Sequence, residues 1–82
     1  MIDILYFAWV RERIGVPKET VKTSAATVAD LVLELTLRED RYALAFADIA
    51  AIRVAVDQEL TDFDAPIGNA REIAFFPPMT GG

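Results

Sequence analysis

Apolar and polar residues alternate along Ile2 to Trp9, Ile52 to Val56 and Glu72 to Phe76, and this period of two predicts three strands with one face turned to a core. In the first, Ile2, Ile4, Tyr6 and Ala8 form the inner set, and Asp3, Leu5, Phe7 and Trp9 the outer set. In the second, Ile52, Val54 and Val56 point inward and Arg53, Ala55 and Asp57 outward. In the last, Ile73 and Phe75 are inner, and Glu72, Ala74 and Phe76 outer. The β-branched Thr20, Val21 and Thr23 mark Glu19 to Thr23 as a further strand. It is joined to the first by a helical turn, Val10 to Ile14, which Gly15 stops and Pro17 keeps short.

From Thr27 the period changes to that of a helix. Val28, Leu31, Val32 and Leu35 repeat at i, i+3, i+4, i+7, Thr27 can cap the first turn, and Asp30 stands where a capping box has its acid. Leu33 and Leu37 fall off the stripe and are expected to flank the core under a long loop. Tyr42 to Ala47 reads as a second short helical segment, with Tyr42 and Phe46 on one side. Asp57-Gln58-Glu59 reads as a turn, Leu60 as an isolated apolar residue, and 62–69 as a loop. Strand, strand, helix, strand, strand predicts an α+β fold, a mixed sheet of four to five strands with one main helix on one face.

The last eight residues, Phe75-Phe76-Pro77-Pro78-Met79-Thr80-Gly81-Gly82, break this pattern. Proline fixes φ and lacks an N–H, so the sheet cannot continue through Pro77-Pro78 and the chain leaves it extended. The expected division is a folded domain at 1–76 and a flexible C-terminal tail at 77–82. Six extended residues reach roughly 20 Å at about 3.3 Å each, far enough to enter a cleft on another protein. The carboxylate of Gly82 would arrive first, and Gly81-Gly82 would pass where side chains are blocked. A bare diglycine also fits a frayed end or a cloning scar. The rigid Phe-Phe-Pro-Pro lead-in favours threading.

Composition narrows the chemistry. Eighty-two residues make one domain, and a hydrophobic fraction of 54% is high for so short a chain, so some apolar surface is expected to face a partner. No apolar run approaches the length of a membrane span, and residues 1–10 lack the features of a signal peptide; a cytoplasmic location without membrane association is expected. The chain has no Cys and no His, which removes disulfides, the usual metal sites, thiol nucleophiles and imidazole acid–base catalysis, and its lone serine, Ser24, has no base to activate it. A net charge of −5 spread along the chain argues against nucleic acid and suits a basic partner.

Along essentially its whole length the chain resembles the family of small subunits of molybdopterin synthase (molybdopterin converting factor subunit 1), which are ubiquitin-like β-grasp sulfur carriers. The residues that carry the likeness are the opening Ile-x-Ile-Leu-Tyr-Phe-Ala-x-Val-Arg-Glu, Asp40-Arg41-Tyr42-Ala43-Leu44-Ala45, Ala55-Val56-Asp57-Gln58, and the tail from Ala74 to Gly82. Two positions depart from it: Asp57, where the family often has Asn, and Ala70-Arg71, where it often has a Gly-Asp turn.

The resemblance implies a specific chemistry. A terminal carboxylate with a pKa of about 3.5 is a poor acyl electrophile at neutral pH and must be activated. In the family an E1-like adenylating enzyme uses ATP to convert it to an acyl-adenylate, and a sulfur donor protein displaces AMP to leave a thiocarboxylate. The tail, here Pro77, Pro78, Met79, Thr80, Gly81 and the reacting Gly82, then inserts into the large synthase subunit. There the sulfur attacks cyclic pyranopterin monophosphate, and two transfers complete the dithiolene of molybdopterin. The acid–base residues belong to the large subunit, the assembly is a heterotetramer, and the small subunit binds no cofactor or metal of its own. The β-grasp arrangement also sets the first and last strands parallel and adjacent, so Phe7 and Phe76 should be neighbours on the uncovered face. With Leu5, Leu60, Ala55 and Ala74 they would form the partner interface, with Arg53, Asp57 and Glu72 as rim charges. Two other readings compete: a carrier serving thiamine synthesis, RNA thiolation or protein modification, and an interaction domain with an inert tail.

Overall fold

The computed structural model describes residues 1–78, and the expectations placed on Met79, Thr80, Gly81 and Gly82 lie outside the described residues. Its elements are β1 (Ile2–Tyr6), α1 (Ala8–Ile14), β2 (Lys18–Val21), α2 (Val28–Arg38), α3 (Asp40–Ala45), a 3₁₀ turn (Ile49–Ala51), β3 (Arg53–Val56), β4 (Glu59–Thr61) and β5 (Glu72–Phe76). The sheet runs β2-β1-β5-β3-β4, with β1 and β5 parallel and the other pairs antiparallel. This is the expected mixed α+β sheet with β5 at its centre.

Burial follows the predicted stripes. Val28, Leu31, Val32 and Leu35 of α2 are buried with Ile2, Ile4, Tyr6, Val54, Ile73 and Phe75 of the sheet. Thr27 caps α2, its side chain accepting from the Asp30 amide at 3.2 Å. Phe75 is the centre of the core: Tyr6 and Phe63 stack on it at 6.1 and 6.3 Å, and Phe46 meets it edge-on at 5.0 Å.

The structure corrects four local expectations. The first strand ends at Tyr6, not Trp9, because Ala8 turns the chain into a helix at φ 53°. That early start buries Val10 and Ile14 one turn apart, leaves Ala8 exposed, and brings Arg13 over the Trp9 ring at 4.5 Å. Gly15 ends the helix in the left-handed conformation, as expected. The second strand is Lys18–Val21, shifted toward the N-terminus from Glu19 to Thr23. Leu60 is not isolated: it centres β4, and the turn before it is the two residues Asp57 and Gln58, at φ 50° and 71°. Leu33 and Leu37 are 58% and 79% exposed, too open to flank the core as expected.

Asp57 also ties this hairpin to the central strand. Its Oδ1 accepts from the backbone amides of Arg71 and Glu72 at 2.9 and 3.0 Å, and its own amide donates to the Glu72 carbonyl. An Asn side chain offers the same acceptor oxygen, so the departure from the family pattern preserves the contact. The same bonds hold Arg71, the second departure, at the mouth of β5.

A second polar cluster joins elements far apart in sequence. The Oε2 atom of Glu19 on β2 accepts from the hydroxyls of Tyr6 on β1 at 2.7 Å and Tyr42 on α3 at 2.6 Å. Arg41 donates to the Tyr42 hydroxyl, to Glu39 and to the Ile14 carbonyl at the end of α1. Burial, reinforced by the Glu19 carboxylate, pushes the Tyr42 phenol up to about 12 and raises Tyr6 further. This cluster accounts for Arg41 and Tyr42 of the Asp40-Arg41-Tyr42 segment.

Candidate functional site

Strand register decides what the uncovered face of the sheet presents. Leu5 pairs with Ala74, Ala74 with Ala55, and Ala55 with Leu60, so one row of apolar residues crosses four strands. Lys18 pairs with Leu5 and begins that row on β2. One step toward the C-terminal end of β5, Phe76 stands opposite Arg53. Phe7 continues beside it, its amide donating to the Phe75 carbonyl at 3.1 Å. One step the other way the face turns polar: Thr20, Asp3 and Glu72 lie in register, and Asp3 takes a hydrogen bond from Thr20 and an ion pair from Lys18. The face therefore grades from acidic to apolar along β5, and the chain leaves the sheet at the apolar end.

At that end Phe7, Ala8, Ala74, Phe76, Pro77 and Pro78 line an open groove of about 430 Å³. Phe7 is 47% exposed and Leu60 71%, while Leu5 and Phe76 are half-buried. The groove carries no titratable side chain; it can hold an apolar surface but offers no acid, base or nucleophile. Among the described residues no cluster of three His, Cys, Asp or Glu stands ready for a metal ion.

Phe7, Phe76, Pro77 and Pro78 thus meet in one groove, with Leu5 and Leu60 in the adjoining row of the same face. Arg53 lies beside Phe76, whereas Asp57 and Glu72 belong to the polar end, away from the groove. Sequence reasoning missed Ala8 and Lys18. Ala8 reaches the groove only because β1 ends early, and Lys18 joins the face only because β2 begins one residue before Glu19.

Comparison with known proteins identifies the family and the fold. The model of the ThiS family matches residues 4–82. The chain belongs to the ThiS family. Among curated relatives of this ThiS-family chain, the protein of Escherichia coli (strain K12) called molybdopterin synthase sulfur carrier subunit is 43% identical over 82 residues, with 100% of both chains covered. The protein of the same name from Haemophilus influenzae is 38% identical over 82 residues, again with 100% of both covered. Two solved structures share the fold. One is SAMP1 from Haloferax volcanii, with a TM-score of 0.73 and 23% identity over 99% of this chain and 98% of that one. The other is a putative molybdopterin converting factor, subunit 1, from Pyrococcus furiosus, with a TM-score of 0.72 and 24% identity over 95% of this chain and 97% of that one. The ubiquitin-like β-grasp fold is thereby established. No helix among the described residues is long and apolar enough to cross a membrane.

Proposed function

We propose that this chain is the sulfur-carrier small subunit of a molybdopterin synthase and that the Gly82 carboxylate is the atom group that carries sulfur. The observation that carries the reading is full-length kinship with two curated sulfur carrier subunits of that enzyme. The geometry agrees with it: a groove without reactive side chains, at the root of the tail, suits a protein that delivers a group and leaves catalysis to its partner.

In this reading an adenylating enzyme transfers AMP from ATP to the carboxylate and releases pyrophosphate. A donor at the oxidation level of sulfide then displaces AMP and leaves a thiocarboxylate. The thiocarboxylate sulfur adds to an oxygen-bearing carbon of the cyclic pyranopterin monophosphate held by the large subunit, and the carbon–oxygen bond breaks and its oxygen leaves. Water then cleaves the acyl–sulfur bond, which returns Gly82 to a carboxylate and leaves the sulfur on the pterin. The residues of this chain bind and orient. Phe7, Phe76, Leu5 and Leu60 adhere to the large subunit, and Pro77-Pro78 direct 79–82 into its cleft.

Intact mass spectrometry after incubation with ATP, an adenylating enzyme and a sulfide source tests the chemistry. A gain of about 16 Da, one oxygen exchanged for sulfur, localised to Gly82, is expected. An unchanged mass with an enzyme proven competent on another carrier would overturn the proposal. Adding one residue after Gly82 should abolish the gain, because the reacting carboxyl moves away from the adenylation site.

A further inference from the structure

A second apolar groove, of about 390 Å³, lies on the helix-bearing side, lined by Ala29, Val32, Leu33 and Thr36 of α2 with Phe46, Ile49 and Phe63. Leu33 and Ile49 on its walls are 58% and 40% exposed. A single exposed leucine is ordinary; a groove walled by exposed aliphatic groups over an aromatic floor is not. Its charge is one-sided. The charged residues next in sequence to its lining residues are Asp30, Glu34, Asp48, Asp62 and Asp64, all acidic, though Glu34 is turned away to accept a hydrogen bond from Thr23. Asp30, Asp48, Asp62 and Asp64 are exposed, and the ion pairs found among the described residues, Lys18 with Asp3 and Arg41 with Glu39, lie elsewhere.

We propose that this groove is a docking surface for a cationic amphipathic segment of a partner protein, separate from the tail-side face. The apolar stripe of such a segment would cover Leu33, Ile49 and Phe63 while its Lys or Arg residues meet the aspartates on either side. Charge excludes the other occupants. A second copy would set the same four aspartates against one another, on a chain of net charge −5. An anionic membrane surface is repelled for the same reason. The chain's own tail starts in the groove beside Phe7 and Phe76 and contains no cation.

The probe is a synthetic amphipathic helical peptide of about 12 residues, close to the length of α2, with Leu on one face and Lys on the other. Titrated into the full-length protein, it should shift the NMR resonances of Leu33, Ile49 and Phe63 saturably and leave Phe7 and Phe76 unmoved. A scrambled peptide of the same composition, and the double variant Leu33→Lys, Ile49→Lys, should each raise Kd by about tenfold or more. The melting temperature of the double variant should be unchanged. Shifts spread over the acidic surface, or equal binding by the scrambled peptide or the variant, would overturn the proposal. So would a dimer in analytical ultracentrifugation that the double variant dissolves, which would assign the groove to a second copy.

Discussion

Replacing Glu19 with Ala removes the acceptor shared by Tyr6 and Tyr42 without touching the sheet's backbone. Tyr6 and Tyr42 are 1% and 0% exposed, so neither hydroxyl can turn to bulk water without a rearrangement. Each stranded donor costs about 1–3 kcal/mol, and the Arg41 contact relieves Tyr42 only as an acceptor, so the loss should be about 3 kcal/mol. For a domain of this size that lowers Tm by roughly 12–24 °C at about 4–8 °C per kcal/mol. Glu19→Gln keeps an acceptor oxygen but not the charge and should fall between the two. Differential scanning calorimetry gives the order, and a loss below about 1 kcal/mol in Glu19→Ala would refute the account.

The same cluster fixes an alkaline limit. Both phenols are raised in the folded state, so the unfolded chain loses these protons first, at about pH 10. Stability from the pair is complete below pH 10. It then falls by about 1.4 kcal/mol per pH unit per tyrosine until each folded-state value is passed. Urea midpoints should decline steeply between about pH 10 and 12, and about half as steeply in Tyr42→Phe.

Three further outcomes are expected. Phe7 is 47% exposed, so its burial by the large subunit would cover about 90 Å² of a side chain of about 200 Å². Phe7→Ala should then weaken binding by about 2 kcal/mol, some 30-fold by isothermal titration calorimetry, with Tm little changed. Gln58→Gly should raise stability by about 0.5–1 kcal/mol in urea denaturation, because the turn holds φ 71° there. Asp57→Ala should cost about 1–2 kcal/mol by losing two backbone hydrogen bonds, whereas Asp57→Asn should be close to neutral in the same assay.

Much of this fold was legible because local signals agreed with the final packing. In α2 the apolar period, the Thr27 cap and the buried stripe coincide, and Gly15 sits where a left-handed residue ends α1. The strand edges were not, because residue type does not encode a positive φ at Ala8 or Gln58; an Asn-Gly in place of Asp57-Gln58 would have announced the hairpin. β4 is three residues, too short to alternate. The Glu19 cluster joins positions 6, 19 and 42, which only the fold brings together. On the uncovered face, alternation correctly grouped Leu5, Phe7 and Phe76, since outward residues of adjacent strands must align. Leu60 was grouped with them as well, but as an isolated residue; that it finishes the row from a strand of its own is given only by the register.

The position of β5 has a mechanical meaning. Under the proposed function the tail enters a cleft and is withdrawn, and a pull on Pro77 along the axis of β5 would be borne by that strand. Here that strand is flanked on both sides, by parallel β1 and antiparallel β3. Such a pull loads the two ladders in shear, so their hydrogen bonds resist together instead of parting one at a time as they would at a peeling edge. The domain would thus hold best against a load applied along β5, the strand from which the proposed carrier tail departs.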